Sequence, residues 1–183
     1  MNKLPSDFEL DKYGLHVRLV REEDAEFILV LRTNPVLSKY LHPVDNDIEK
    51  QRQWIRNYKV RELHGEDYYF IFFDGQKPIG LIRIYDIDYD ASKATVGSWI
   101  CQQGLPMEQP ILVLTICREI LFENINAKED VFDVRKLNKK VLQFHQMMGA
   151  EIKSQDEDNY YLTLSKESFV TSKKQILHIF NYA

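Results

Sequence analysis

Residues 131–150 read VFDVRKLNKKVLQFHQMMGA. The alternating apolar residues at the start of this segment predict a β-strand, because every second side chain of a strand points to the same face. Asn138 then favours the start of a helix, and Gly149 favours its end. At about 100° per residue, Asn138 and His145 lie on one side of that helix. The segment therefore places an amide and a titratable ring where a helix follows a strand, a frequent location of binding sites in α/β folds.

The size and composition of the chain predict one globular domain, residues 1–183. Apolar residues make up 44% and charged residues 28% of the 183 residues, an ordinary globular balance. The formal net charge is −4, and acidic and basic residues are mixed along the chain. This balance argues against a nucleic-acid partner, because polyanion binding requires a strongly basic surface.

The cysteines and the apolar runs predict a cytoplasmic protein. Cys101 and Cys117 form no CxxC motif, so two buried thiols in a reducing compartment are expected. No run of 18 apolar residues is present, and the N-terminal residues lack the apolar stretch of a signal peptide, which predicts no membrane association. His42 and His64 lie in polar segments without the spacing of metal ligands, so no metal is expected.

The pattern along the chain predicts the element order β-α-α-β-β-β-α-β-α-β-β, a mixed α/β (α+β) domain. His16–Val20 alternates as the first strand, and the second helix is predicted to start at Asp47 and to end at Gly65. Asp74-Gly75 lies between two runs rich in strand-forming residues and predicts a hairpin. Pro110 suits the first turn of a helix that extends to about residue 124.

This order and five short motifs resemble the GNAT superfamily of acetyl-CoA-dependent N-acetyltransferases. The resemblance covers residues 14–165 and leaves 166–183 as a C-terminal helical appendage. Its motifs are Arg32-Thr33-Asn34, Gln53-Trp54-Ile55, Ile79-Gly80, Val96-Gly97-Ser98-Trp99-Ile100, and 138–150, which is similar to the family's NxxAIxLYxxxGF helix. The resemblance implies a mostly antiparallel sheet flanked by helices, in which two central strands splay apart.

The resemblance also implies where acetyl-CoA binds. In the family the pantetheine arm lies in the gap between the splayed strands and pairs with exposed backbone groups like an extra strand. The Asn of the later helix hydrogen-bonds the cofactor, a role that falls to Asn138. The other residues expected to bind the cofactor are Trp99, Ile100, Gln103, Gly104 and Lys139.

His145 occupies the position at which the family's helix carries a Tyr that protonates the departing thiolate. Two roles are open for it: an imidazole at the edge of the core, bonded to a backbone carbonyl, or the catalytic proton donor. Burial would favour the neutral ring, which still donates one N–H. The general base stays open among Ser98, Asp133 and a chain of water molecules.

The loop at residues 101–110, CQQGLPMEQP, departs from the family. The family's Q/R-x-x-G-x-G/A motif holds the two phosphates of the cofactor on backbone N–H groups, whereas Pro106 and Pro110 lack an N–H and Glu108 adds negative charge. Two explanations are open. Other amides and nearby lysines (Lys136, Lys139, Lys140) hold the phosphates, or the site has lost cofactor binding.

The acceptor side contains Arg32, Trp54, Tyr68 and Ser98, which come from parts of the fold that shape the acceptor pocket in relatives. Aromatic walls beside a cation suit a nucleotide-linked amino sugar, with a protein N-terminus or another small-molecule amine as alternatives. A catalytically silent GNAT-fold module that binds a ligand or a partner is the alternative function. The sequence leaves a homodimer open.

Overall fold

In the computed structural model, which describes residues 1–182, eight strands form one sheet. They are β1 (Glu9–Lys12), β2 (Leu15–Leu19), β3 (Tyr68–Asp74), β4 (Lys77–Asp88), β5 (Lys93–Cys101), β6 (Glu129–Arg135), β7 (Glu151–Gln155) and β8 (Asn159–Ser165). Their order across the sheet is β1-β2-β3-β4-β5-β6-β8-β7. Neighbouring strands are antiparallel except β5 and β6, which run parallel. The predicted fold class, a mixed and mostly antiparallel sheet flanked by helices, is confirmed.

Five α-helices in residues 1–182 cover the sheet. They are α1 (Ala25–Arg32), α2 (Ile48–His64), α3 (Glu108–Glu119), α4 (Lys139–Met147) and α5 (Lys166–Ile179). A 3-10 turn at Glu22–Asp24 precedes α1, and a π-helix at Ile120–Asn124 continues α3. Residue 183, the last of the predicted C-terminal segment, lies outside the described residues.

The core lies on both faces of the sheet. The larger apolar cluster joins the sheet to α3 and α5, and partly buried residues of α4 pack against it. The smaller cluster joins the other face to α1 and α2. Tyr68 belongs to the first cluster and Tyr69 to the second, because consecutive side chains of a strand point to opposite faces. Which of these two tyrosines reaches a given site is thus decided by the face on which the site lies.

Three turn signals in the sequence have the expected structural roles. The Asp47 carboxylate accepts hydrogen bonds from the backbone N–H groups of Glu49 and Lys50 (3.0 and 3.1 Å), which caps α2. Gly65 ends α2 with φ +78°, a left-handed conformation that favours glycine. The Asp74-Gly75 turn joins β3 to β4 as a hairpin. These predictions are confirmed.

Two features differ from the sequence-based expectation. Strand β1 was not predicted, because Leu10 is its only apolar residue and an edge strand with one apolar side chain gives no alternation signal. Helix α3 begins at Glu108, within the segment 101–110 that the sequence suggested as a loop, and Pro110 is the third helical residue. The first difference is a missed edge strand and the second is an element boundary, and neither changes the order of the remaining elements.

Candidate functional site

Strands β5 and β6 diverge after two paired positions. Lys93 is paired with Glu129 and Ala94 with Asp130, and the backbone ladder then ends. The next N–H on this side of β5, that of Val96, donates instead to the Asp130 carboxylate at 2.9 Å. This side-chain acceptor satisfies the amide at the point where the strands separate. A gap therefore opens between the C-terminal halves of the two central strands.

A β-bulge in β5 lies beside this gap. Leu81 is opposite Ile100 but Arg83 is opposite Gly97, so one extra residue is present in β5. Ser98, within the bulge, has φ +54°, which is uncommon for a residue other than glycine. A Cβ on Gly97 would lie 2.6 Å from the Tyr85 hydroxyl oxygen, so a larger residue there would require the Tyr85 side chain to move. The bulge interrupts the pairing of β5 with β4 just where its pairing with β6 has already ended.

A cavity of about 300 Å³ occupies the gap. Trp99 of β5, Phe132 of β6, and Asn138 and His145 at α4 line it, together with Leu41 from the segment after α1. Asn138 precedes the first residue of α4, and its side chain makes no capping hydrogen bond to the helix. The Asn138 amide is therefore available to a ligand in the cavity.

His145 is 6% exposed and contacts a buried arginine. Its Nδ1 lies 3.3 Å from Nη2 of Arg118, and its ring centroid lies 4.6 Å from that of Phe132. A guanidinium only donates hydrogen bonds, so a hydrogen bond between these two atoms requires Nδ1 to be the acceptor. The partner is a side chain, not the backbone carbonyl considered from the sequence.

Arg118 and Asp130 form an ion pair inside the core. Both side chains are 0% exposed, and Arg118 Nε donates to Asp130 Oδ2 at 2.9 Å. Burial raises the pKa of Asp130 from its ordinary value, and the guanidinium opposes that rise. Burial, and secondly the charge of Arg118, lower the pKa of His145 well below its ordinary value. The imidazole is therefore neutral at physiological pH.

This lowered pKa predicts a pH dependence of stability. The unfolded chain protonates His145 near about pH 6.5, whereas the folded protein resists protonation, so the stabilisation is present above that pH and is lost as the pH falls. We expect the unfolding free energy of wild type, minus that of His145→Phe, to fall by up to about 1.4 kcal/mol per pH unit below about pH 6.5. Urea unfolding of both proteins across this range measures the difference. Identical pH dependence in the two proteins would contradict a buried neutral ring.

On the other side of the bulge, two more cavities lie next to the first. One of about 210 Å³ is lined by Ser98, Asp133, Tyr85 and Arg83. The other, of about 220 Å³, shares Arg32, His42 and Arg83 with it and adds Trp54 and Tyr69. The three cavities together lead from His145, past the bulge, to the aromatic side chains between α2 and the sheet.

Arginines and aromatic rings line the outer part of this path. Arg83 forms an ion pair with the buried Asp67, and Arg61 Nε lies 3.3 Å from the same carboxylate. The two guanidinium carbons lie 5.5 Å (Arg61) and 5.4 Å (Arg83) from the Trp54 ring centroid, within the range of cation–π contacts. Cations and an aromatic face are thus held together by one buried carboxylate.

Three buried polar atoms at these cavities have no hydrogen-bond partner within residues 1–182. They are Nε of Arg32, the hydroxyl of Tyr69 and Nε1 of Trp99. Burial raises the pKa of Tyr69 to about 12, against the opposing charges of Arg32 and Arg83. Since buried polar groups in folded proteins are nearly always satisfied, a polar ligand or water molecules in the cavities would satisfy these three atoms.

The structure brings together six of the residues named from the sequence. Trp99, Asn138, His145 and Ser98 line the first cavity, and Arg32 and Trp54 line the neighbouring one. Ile100 is buried in the smaller core cluster, while Gln103, Gly104 and Lys139 are exposed outside the three cavities.

Tyr68, which was predicted from the sequence to lie on the acceptor side, does not line the acceptor-side cavities. It is 0% exposed on the opposite face of the sheet, where its hydroxyl accepts a hydrogen bond from the backbone N–H of Leu4 (2.9 Å). Tyr69 lines the acceptor-side cavity instead. The sequence did not distinguish the two tyrosines because β3 is buried on both faces. Its apolar residues therefore do not alternate with polar ones, and the pattern does not show which face meets the site.

Arg118 and Asp130 were not predicted from the sequence to belong to the site. A signal was present: Arg118 lies within an almost uninterrupted apolar stretch of α3, and Asp130 opens a strand whose alternate residues are apolar. Opposite charges in two apolar segments favour a buried ion pair, because neither charge is stable there alone.

Comparison with known proteins identifies the class to which this fold and site belong. The family model described as the acetyltransferase (GNAT) domain matches residues 15–151, and the chain belongs to this family. FdhC, described as a nucleotide-linked sugar GNAT and solved in its apo form, is 38% identical. The match covers 92% of this chain and 96% of that chain, with a TM-score of 0.83.

Two more distant structures share the fold alone. The ribosomal-protein-S5-alanine acetyltransferase from Vibrio fischeri is 15% identical, with a TM-score of 0.75 over 89% of this chain and 99% of that chain. The spermidine N-acetyltransferase from Vibrio cholerae, solved with CoA and spermine, is 17% identical, with a TM-score of 0.73 over 87% and 99%. A search of curated proteins gave no significant match.

Two further searches concern only residues 1–182. They contain no group of three His, Cys, Asp or Glu side chains placed to hold a metal ion. None of their helices is long and apolar enough to cross a membrane.

Proposed function

We propose that the protein transfers an acetyl group from acetyl-CoA to the amine of a nucleotide-linked amino sugar. The observation that carries this proposal is a row of three cavities that share lining residues, from the gap between β5 and β6 to the residues Arg32, Arg83 and Trp54. The similarity to a nucleotide-linked sugar GNAT at 38% identity supports the acceptor class.

The acetyl-CoA arm would lie in the gap beside β5. Beyond Ala94 the β5 backbone has no ladder partner in β6, so its polar groups can pair with an extended amide-containing chain. The Asn138 amide and the Trp99 ring line the same cavity. For the phosphates, Gly104 (φ +76°) and Gln103 are exposed in the loop after β5, and Lys139 is exposed at the start of α4.

The reaction is a direct acyl transfer. The neutral amine attacks the thioester carbonyl, a C–N bond forms, the C–S bond breaks, and the departing thiolate takes up one proton while the amine nitrogen loses one. Nε2–H of His145 can hydrogen-bond and so stabilise the departing thiolate, because Arg118 occupies Nδ1. The ring stays neutral, and the proton that the amine loses is the one that the sulfur gains. Asp133 and Ser98 line the adjoining cavity, where the amine proton leaves.

The acceptor cavities favour a ligand with phosphates and a flat base. Arg32 and Arg83 supply the positive charge, and Trp54 and Tyr85 supply aromatic faces. A charge-assisted hydrogen bond to a phosphate contributes about 1.5–3 kcal/mol, more than a neutral sugar hydroxyl offers. A polyamine is disfavoured there, because its cations would be placed beside these guanidinium groups.

We expect kcat/KM for a nucleotide-linked amino sugar to exceed that of the free amino sugar by about ten- to a hundredfold, the value of one charge-assisted contact. Thiol release from acetyl-CoA, followed with both sugars, spermidine and a short peptide, measures this ratio. Arg32→Gln should reduce the ratio, whereas Arg56→Gln, an exposed arginine of α2 that lines none of the three cavities, should preserve it. Equal values for linked and free sugar, or a preference for spermidine or peptide, would contradict the proposed acceptor.

One observation favours a second candidate, a catalytically silent module that binds a ligand. The loop before α3 contains Pro106, α3 begins with the acidic Glu108, and the N-terminus of α3 has no side-chain cap. The same assay separates the two functions: a silent module would release no thiol with any of the four amines.

A further inference from the structure

Arg118 lies at the centre of the molecule and serves two partners. It comes from α3, is 0% exposed, and is flanked along the helix by Cys117 and Glu119 in an otherwise apolar turn. A buried guanidinium is costly unless its N–H groups are paired. Nε meets Asp130 of β6 and Nη2 meets His145 of α4, so one side chain joins three elements, while Nη1 has no partner within residues 1–182.

The geometry fixes all three groups relative to one another. The distance from Nε to the Asp130 carboxylate is 2.9 Å, and that from Nη2 to Nδ1 of His145 is 3.3 Å. The Phe132 ring packs against both partners: the guanidinium carbon is 5.0 Å and the imidazole centroid 4.6 Å from its centre. The planar guanidinium can therefore satisfy both partners without changing its rotamer.

This arrangement decides which end of the imidazole carries the proton. A carboxylate or carbonyl at Nδ1 would place the proton there and leave Nε2 as an acceptor, the arrangement of a general base. Arginine at Nδ1 has the opposite effect, because it can only donate. The Nε2–H then has no partner within residues 1–182, and the ring lines the cavity in the gap.

We propose that Arg118 is a positioning residue that holds His145 as the neutral Nε2–H tautomer, so that the ring offers a hydrogen bond to the departing thiolate and does not act as a base. The catalytic part of this inference rests on the proposed function, whereas the tautomer does not. Asp130 completes the arrangement by holding the guanidinium, and its second oxygen holds the Val96 amide of β5. The same carboxylate therefore links the separation of the strands to the orientation of His145.

Nitrogen NMR of protein labelled with ¹⁵N-histidine tests the tautomer directly. The signal of His145 is assigned by its loss in His145→Gln. We expect the wild-type spectrum to show an unprotonated Nδ1 and a protonated Nε2. This expectation does not depend on whether the protein is an active enzyme. A proton on Nδ1, or a rapidly exchanging mixture, would overturn the proposal, and this result needs no Arg118 variant to fold.

Arg118→Lys tests the role of the arginine. Lysine keeps a charge for Asp130, but its compact ammonium cannot hold two partners as a planar fork does. We expect a mixed tautomer and a kcat reduced about tenfold or more at unchanged KM for acetyl-CoA. The matched control is Arg18→Lys, since Arg18 also forms a partly buried bidentate pair, with Asp24, away from the cavities. An unchanged tautomer in Arg118→Lys would overturn the proposal. A changed tautomer with unchanged turnover would leave the positioning intact and count against the catalytic role of His145.

Discussion

We expect His145→Phe to lower kcat about 10²–10³-fold, the usual contribution of one hydrogen-bond donor to a developing negative charge, while the affinity for acetyl-CoA is retained. Phenylalanine is similar in shape to the imidazole and fills the space beside Phe132, but it has no N–H for the departing thiolate. Without the donor, the C–S bond must break to give a bare thiolate. Single-turnover thiol release at saturating acetyl-CoA measures the chemical step directly.

The control for this substitution is His178→Phe, an exposed histidine of α5 that lines none of the three cavities. The loss of Nδ1 also leaves an arm of Arg118 unpaired, at a cost of about 1–3 kcal/mol in stability, so rates are compared per folded molecule. Thermal melting of each variant gives that fraction. If folded His145→Phe turned over at the wild-type rate, His145 would be a core residue with no part in stabilising the departing thiolate.

The order of the elements could be predicted because the relevant signals are local. Asp47 and Gly65 bound α2 by capping chemistry that acts within a few residues, and the Asp74-Gly75 turn needs only its own backbone conformation. The helix from Asn138 to Gly149 was predicted on the same grounds. These are short-range preferences, which a single sequence displays directly.

The site could be predicted only in part, because its chemistry depends on contacts between distant segments. Arg118 and Asp130 are 12 residues apart, and Arg118 and His145 are 27 apart, so no local pattern links them. The choice between Tyr68 and Tyr69 depends on which face of a doubly covered strand meets the cavity. The tautomer of His145 depends on a partner that only the fold brings near.

The bulge at Ser98 illustrates the same limit. Gly97 marks it in the sequence, since glycine in a strand indicates a bulge or a close approach. The left-handed Ser98 carries no such mark, because serine is ordinary in loops and strands alike. The resemblance of residues 96–100 to the family motif located the cofactor-facing strand without indicating how its backbone turns.

Binding of acetyl-CoA in the gap between β5 and β6 would stabilise the folded protein, and thermal melting with and without the ligand measures this stabilisation. A ligand present at about 100 times its dissociation constant adds about 2.7 kcal/mol of stability, which raises Tm by several degrees for a chain of this size. Asn138→Ala should reduce that rise, because it removes the side-chain amide that lines the gap. Lys140 is exposed on α4 and does not line the cavity, so Lys140→Ala should leave the rise in Tm unchanged. We predict a rise of several degrees for wild type at millimolar acetyl-CoA. An unchanged Tm at that concentration would contradict the binding of acetyl-CoA in the gap.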